Sequence, residues 1–148
     1  MQEILTSLTG FVAGEPRRSA PGANVRTVLR VVNRPRVKDH ASGEWRDGPP
    51  SFVTVVCWRA LAENVAASVG KGDPVVVTGR LRTGSYTAAD GQPRQSVEIH
   101  ASSVGHDLTL GRSRFAYASR APTPEAAGGG RETAEGGTEA APGVPEAA

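Results

Sequence analysis

A segment whose apolar residues recur every four positions lies between two valine-rich segments whose apolar residues alternate. This order restricts the fold more than any other feature. In Ser51–Trp58 the alternation of a β-strand separates Val53, Val55 and Cys57 from Phe52, Thr54, Val56 and Trp58. In Pro74–Tyr86 it separates Val75, Val77, Gly79 and Leu81 from Val76, Thr78, Arg80, Arg82 and Tyr86. Both segments therefore predict strands with one aliphatic face and one face that carries rings or guanidinium groups.

The segment between these two strands predicts a short helix. Leu61, Val65 and Val69 recur every four residues among alanines, and Gly70 ends the pattern before Pro74 opens the next strand. A helix is therefore expected between the third and fourth strands of the chain.

Three further strands complete the predicted architecture. Ile4–Val12 predicts a first strand that bends at Gly10, and Val25–Val32 predicts a second strand with Arg30 facing outward. After a turn, Gln95–Ala101 predicts the last strand, with inward-facing Val97, Ile99 and Ala101. Five strands with one helix between the third and fourth is the layout of the all-β OB-fold barrel, which binds oligonucleotides.

The outward side of the two central strands has the chemistry of a nucleic-acid surface. Flat rings offer stacking surfaces to unpaired bases, and guanidinium groups contact the phosphates between them, a combination that suits single-stranded nucleic acid. For Phe52 or Trp58 taken alone, a place in the core is the simpler interpretation. That interpretation weakens because the opposite face already supplies an aliphatic core, and because Arg80, Arg82 and Tyr86 share one parity.

The composition changes after about Arg120 and divides the chain into a basic and an acidic part. Residues 1–120 carry 16 Lys and Arg against 10 Asp and Glu, a net of +6, whereas residues 121–148 carry one Arg against five Glu, a net of −4. A basic folded part favours polyanionic partners, and an acidic tail can compete for the same surface. The acidic part has too few apolar residues to offset the entropy of ordering. We therefore predict a binding domain over residues 1–110, a connecting segment over 111–118 and a disordered tail over 119–148.

Several classes of function find no support in the sequence. His40, His100 and His106 lie far apart without metal-ligand spacing, and no catalytic or phosphate-loop motif is present, so we expect no metal, cofactor or enzymatic activity. The single cysteine, Cys57, cannot form an internal disulfide and suits a reducing compartment. No apolar run approaches the roughly 20 residues that cross a bilayer, and the first ten residues lack the regions of a signal peptide. We expect a cytoplasmic protein without a membrane partner.

Two long segments resemble bacterial single-stranded DNA-binding proteins of the actinobacterial type: CWRALAENVAASVGKGDPVVVTGRLRT, residues 57–83, and SVEIHASSVGHDL, residues 96–108. The resemblance covers residues 1–110 and implies an OB-fold barrel that assembles as a homotetramer and protects single-stranded DNA in replication, recombination or repair. It also implies base stacking at Phe52, Trp58 and Tyr86, the residues that strand parity selects. Our candidates for phosphate contacts are Arg30, Arg34, Arg36, Lys71, Arg80 and Arg82.

Two features depart from the family pattern. Family members have an aromatic residue at the base of the long polar hairpin between Pro35 and Pro50, and this position falls near Val37 here. Trp45 is the candidate to replace that aromatic. A packing role that holds the loop in place explains Trp45 equally well. The chain ends in GVPEAA, without the acidic, aromatic-ended tip by which family members recruit repair and replication enzymes. We therefore expect no such recruitment, which fits a specialised second copy of the protein.

Two alternatives to a single-stranded DNA binder stay open at this point. One is an RNA or mixed nucleic-acid module on the same barrel, which would need a partner for the 2′-hydroxyl. The other is an assembly protein that keeps the OB-fold oligomer with reduced affinity for DNA. Binding to DNA and RNA oligonucleotides separates these three functions.

Overall fold

The structure, a computed structural model, describes residues 2–19 and 24–118. The chain divides into two units, Met1–Phe115 and Ala116–Ala148. The expected disordered tail, residues 119–148, lies outside the described residues. The described elements all belong to the first unit; in chain order they are β1 (Ile4–Val12), β2 (Arg17–Arg18), β3 (Arg26–Asn33), β4 (Arg36–Lys38), β5 (Trp45–Asp47), β6 (Ser51–Trp58), α1 (Arg59–Ser68), β7 (Pro74–Thr87) and β8 (Pro93–His106).

Five long strands close into a barrel. They follow the order β1-β7-β8-β6-β3, and an additional pairing of β1 with β3 joins the two ends of the sheet. The pairing of β6 with β8 is parallel, whereas the other pairings among these strands are antiparallel. The helix α1 lies between the third and fourth long strands, so the OB-fold predicted from the order of periods is confirmed.

The interior of the barrel is filled mainly by valine, and the helix contributes to the same core. Leu29, Val55 and Val77 are fully buried, and Ala62 and Val65 of α1 belong to the same cluster. Apart from Val97, the side chains that strand parity places inside lie in this core or pack against it, because alternate side chains of a strand point to opposite faces. One polar side chain, Thr27, is buried among them; its hydroxyl donates a hydrogen bond to the Ala62 carbonyl oxygen over 2.8 Å.

Two glycines lie where neighbouring strands approach too closely for a side chain. A Cβ atom on Gly10 would lie 2.5 Å from the carbonyl oxygen of Val32, at the point where β1 turns from β7 to β3. A Cβ atom on Gly79 would overlap the carbonyl oxygen of His100. Gly79 adjoins a register shift in which Thr78 faces Ser103 while Gly79 faces Ala101, so Ser102 is an extra residue on β8.

The structure differs from the sequence-based expectations in β8 and in the long hairpin. We predicted the last strand over Gln95–Ala101, but β8 continues to His106, because the bulge at Ser102 shifts the alternation and brings Val104 against the core. Val97, predicted to face the core, is 39% exposed, because this part of the β7–β8 hairpin extends past the closed barrel. The segment predicted as a polar loop contains the paired strands β4 and β5, which form a sheet of their own.

The segment that follows β8 is tied to the barrel. His106 Nδ1 lies 2.7 Å from the Ser113 hydroxyl oxygen, and His106 Nε2 lies 3.4 Å from a carboxylate oxygen of Asp73. The same carboxylate oxygen accepts a hydrogen bond from the backbone N–H of Gly70, directly after α1. These contacts lie beyond the C-terminus of α1, whereas Trp58 directly precedes its N-terminus.

Candidate nucleic-acid interface

Strand β6 presents two aromatic rings to solvent. Phe52 is 47% exposed and Trp58 is 40% exposed, whereas Val55 and Cys57 on the opposite side of the strand are fully buried. The two rings are six residues apart, which places them about 20 Å from one another along an extended strand. Val56, on the same side between them, is only 6% exposed, so the surface between the rings is not uniformly open.

Cross-strand register brings basic side chains onto the same outward surface as these rings. Arg30 pairs with Thr54 of β6, Thr54 pairs with Glu98 of β8, and Glu98 pairs with Arg82 of β7. Directly paired residues point to the same side of a sheet, so Arg30 and Arg82 share one face. Two residues further along β6 and β8, Val56 pairs with His100, and His100 pairs with Arg80 of β7. We call this outward side of β3, β6, β8 and β7 the outer face.

A guanidinium group lies over each ring of β6. The Cζ atom of Arg30 is 4.6 Å from the centroid of the Phe52 ring, and that of Arg26 is 5.8 Å from the Trp58 ring. Cation–π contacts at exposed sites are worth about 0.5–1 kcal/mol, which is enough to orient a side chain but weak enough to exchange for a base. Each ring therefore has a cation beside it that can contact the phosphate of a nucleotide stacked on that ring.

Tyr86 lies on the outward-extending part of the β7–β8 hairpin. It is 53% exposed and has the parity of Arg80 and Arg82, so its side chain belongs to the same side of β7. Its cross-strand partner is Arg94, which forms an ion pair of 3.1 Å with Asp90 near the hairpin turn. The hairpin thus continues the outer face beyond the barrel with one ring and one further cation.

The β4–β5 hairpin carries Trp45 on a separate sheet. Trp45 pairs with Lys38 and is 60% exposed, while Val37, where the family pattern has an aromatic, is 43% exposed and pairs with Arg46. No ladder among the described strands connects this sheet with the barrel, so register alone does not bring Trp45 onto the outer face. Arg36 is engaged within the hairpin: its guanidinium lies 3.7 Å from Asp47 and donates to the Trp45 carbonyl over 3.4 Å.

The six candidates for phosphate contacts fall into three places. Arg30, Arg80 and Arg82 lie on the outer face. Arg34 lies between β3 and the β4–β5 hairpin, beside Arg36. Lys71 lies in the turn between α1 and β7, beyond the end of the helix that is remote from Trp58. Register therefore places the first three on the same surface as Phe52 and Trp58.

Carboxylates lie among the arginines of the outer face. Glu3 accepts a hydrogen bond from Arg80 over 3.0 Å, and Glu98 stands between Thr54 and Arg82 in register and lies 3.4 Å from His100 Nε2. These exposed groups exchange readily, because ion pairs in water are worth little. A polyanion can replace them as the partners of the cations.

Sequence reasoning missed two residues of this surface. Arg26 lies over Trp58, and its parity with Arg30 along β3 was a signal that could have found it. Arg59 directly follows Trp58 and has φ of +57°, the left-handed region that costs an L-residue roughly 1–2 kcal/mol. A glycine would signal such a conformation in a sequence; an arginine does not.

Residues 2–19 and 24–118 contain no cluster of three or more His, Cys, Asp or Glu side chains that could hold a metal ion. Burial raises the pKa of the Cys57 thiol to about 11, so this thiol stays protonated and unreactive in the folded protein. Within these same residues, no helix has the length and apolar character needed to span a membrane.

Comparison with known proteins finds the same family throughout. The model of the single-strand binding protein family matches residues 5–107. Single-stranded DNA-binding protein 2 of Streptomyces avermitilis is 45% identical over 117 residues, which are 78% of this chain and 72% of that protein. The crystal structure of a small single-stranded DNA-binding protein from Streptomyces coelicolor superimposes with a TM-score of 0.67 at 37% identity, covering 75% of this chain and all of that one. The second such protein of Mycobacterium smegmatis gives a TM-score of 0.59 at 33% identity, covering 78% of this chain and all of that one.

Proposed function

Because this chain belongs to the single-strand binding protein family, we propose that its outer face binds single-stranded DNA without sequence preference. The observation that carries the proposal is the exposure of Phe52 and Trp58 on a strand whose other side is buried. Two large rings left half in water add little to stability, whereas they are well suited to stacking with bases. Every base has a flat face, so stacking tolerates any sequence.

The arginines of the outer face contact the phosphates in this proposal. Arg30, Arg80 and Arg82 lie on the same side as the rings, and Arg30 already lies over Phe52. Neutralising phosphates releases the counterions of the DNA, so the affinity depends strongly on salt. Tyr86 extends the stacking surface along the hairpin, and Trp45 with Arg34, Arg36 and Lys71 forms an outer set that a longer strand of DNA can reach.

We also propose that the protein assembles as a homotetramer. Strand β1 pairs with β7 over Ile4–Phe11 but with β3 only at Phe11 and Val12, so most of its second edge has no partner among the described strands. Leu5, on this strand, is 75% exposed. An open strand edge with exposed apolar residues is suited to pairing with another copy of itself.

The proposed cellular role is the protection of single-stranded DNA during replication, recombination or repair. The protein acts by binding and not by catalysis, in the cytoplasm and on the nucleoid.

A titration tests these proposals. A fluorescent thymidine oligonucleotide should bind the full chain, an unlabelled RNA of the same length should compete poorly for that binding, and affinity should fall steeply between two salt concentrations. RNA that competes equally well would favour a mixed nucleic-acid module, whereas no binding to either would indicate an assembly protein. Light scattering on the same sample should give the mass of four chains, and a monomer mass would contradict the edge argument.

A further inference from the structure

A cleft of about 410 Å³ opens beside the Trp58 ring at the junction of β6 and α1. Its lining combines the Trp58 ring and the Arg59 and Arg80 guanidinium groups with two polar side chains, Asn24 and Ser102, and two aliphatic ones, Leu61 and Ala101. Ser102 is the bulged residue of β8, so an irregularity in the barrel wall contributes to this cleft. The composition suits one nucleotide, with a flat base beside a charged phosphate.

Arg59 reaches this cleft from a backbone conformation that favours glycine. Its φ of +57° is positive, and among the described residues it is the only residue other than glycine with a positive φ. Its backbone N–H donates to the Val25 carbonyl oxygen over 2.9 Å, which anchors the junction between strand and helix. Side chains held in such conformations concentrate at functional sites, where the surrounding structure maintains them.

The charges around the cleft are not balanced within the described chain. Arg80 is paired with Glu3 over 3.0 Å, and Arg26 lies over the Trp58 ring. Within residues 2–19 and 24–118, the Arg59 guanidinium has no carboxylate within ion-pair distance. Of the two guanidinium groups that line the cleft, Arg80 therefore has one carboxylate partner and Arg59 has none among the described residues, which leaves room for an anion.

We propose that Arg59 binds the phosphate that adjoins the base stacked on Trp58. This inference rests on the proposed function and adds a specific contact to it. The left-handed backbone turns the Arg59 side chain toward the cleft rim, and Arg80 faces the same phosphate after releasing Glu3. The Trp58 ring and the Arg59 guanidinium, neighbours in the chain, thus bind the two halves of one nucleotide.

Glycine and glutamine substitutions distinguish the effect of the Arg59 charge from the effect of its backbone conformation. Arg59→Gln removes the charge and keeps the strained backbone, whereas Arg59→Gly removes the charge and relieves the strain. We expect both variants to bind a thymidine oligonucleotide roughly fivefold more weakly at low salt, with a log–log salt slope shallower by about 0.7. Arg59→Gly should melt at a higher temperature than the wild type, and Arg59→Lys, which keeps the charge, should bind nearly as the wild type does.

Arg112→Gln is the matched control. Arg112 borders a different cleft with Ser68, at the C-terminal end of α1, about 15 Å along the ten-residue helix from Arg59. This variant removes the same charge and should change affinity less than twofold. Unchanged affinity and slope in Arg59→Gly, or an equal loss in Arg112→Gln, would overturn the Arg59 assignment while leaving the proposed function intact. Failure of the wild type itself to bind DNA would overturn both.

Discussion

Strand β6 places its larger side chains in solvent and its smaller ones in the core, the reverse of what stability alone would favour. Val55 and Cys57 are fully buried, whereas Phe52 and Trp58 are 47% and 40% exposed. Burying a large apolar side chain fully is worth about 1.5–3 kcal/mol, and the two rings forgo much of this gain. The barrel interior is filled mainly by valine instead. The interior therefore accounts for the stability of the fold, whereas the exposed rings are available for the binding that we propose.

The largest effect should come from the interior. Leu29→Ala empties space at a fully buried position, and we expect a loss of about 2–5 kcal/mol in the free energy of unfolding. Denaturant unfolding measures this loss, and the affinity of the molecules that remain folded should be unchanged. Arg30→Ala, the next residue on the opposite side of β3, is the control and should leave the unfolding midpoint nearly unchanged. An unaltered midpoint in Leu29→Ala would show that the buried core contributes less to stability than its burial indicates.

The next largest effect should come from the rings. Trp58→Ala and Phe52→Ala should each weaken binding of single-stranded DNA by about 1–3 kcal/mol, because each removes a stacking surface. Tyr86→Ala should act in the same direction with a smaller effect. A thermal melt beside each titration distinguishes lost stacking from lost packing. Full affinity in a well-folded Trp58→Ala protein would remove the stacking role.

A smaller effect is expected from a single arginine of the outer face. Arg82→Gln should make the log–log salt slope of binding shallower by about 0.7, without changing the preference among base sequences. Arg18→Gln is the matched control, because Arg18 is paired with Glu63 over 2.6 Å and lies on β2. Titrations at four salt concentrations measure both slopes. If the two variants give the same slope, the outer face has no special share in phosphate binding.

The smallest effect should follow removal of the acidic tail. Truncation after Arg120 should leave the melting temperature and oligomer mass unchanged, and affinity for DNA unchanged or slightly raised, most visibly at low salt, where charges are least screened. A full-length variant with glutamine in place of the five glutamates of residues 121–148 separates charge from length. A truncated protein that binds more weakly would show that the tail contributes to the binding surface.

Local pattern was sufficient for most of the fold. The parity of Val53, Val55 and Cys57 identified one face of β6, and the spacing of Leu61 and Val65 identified α1. The same parity separated Phe52 and Trp58 from the core. It succeeded because the alternation of a strand and the period of a helix are properties of the backbone that neighbouring residues express directly.

Irregular features could not be predicted from the sequence, because they depend on contacts between distant segments. The bulge at Ser102 lengthens β8 and shifts its alternation, and short ladders order the hairpin around Trp45. Neither has a distinct local signal, because each depends on pairing with a strand elsewhere in the chain. The position of Trp45 on a separate sheet is likewise a result of pairing, and its role in binding stays a prediction.

Local sequence was enough to predict which residues share a strand face, where the helix lies and how charge divides between the two ends of the chain. Which strands are neighbours became clear only from the tertiary structure. The pairing of the strands places Arg30 over Phe52 and Arg26 over Trp58, and it brings Arg59 and Arg80 to one cleft. The physical reason is range. Side-chain direction follows from a few consecutive dihedral angles, whereas the register that joins distant segments follows from closing the barrel around its valine core.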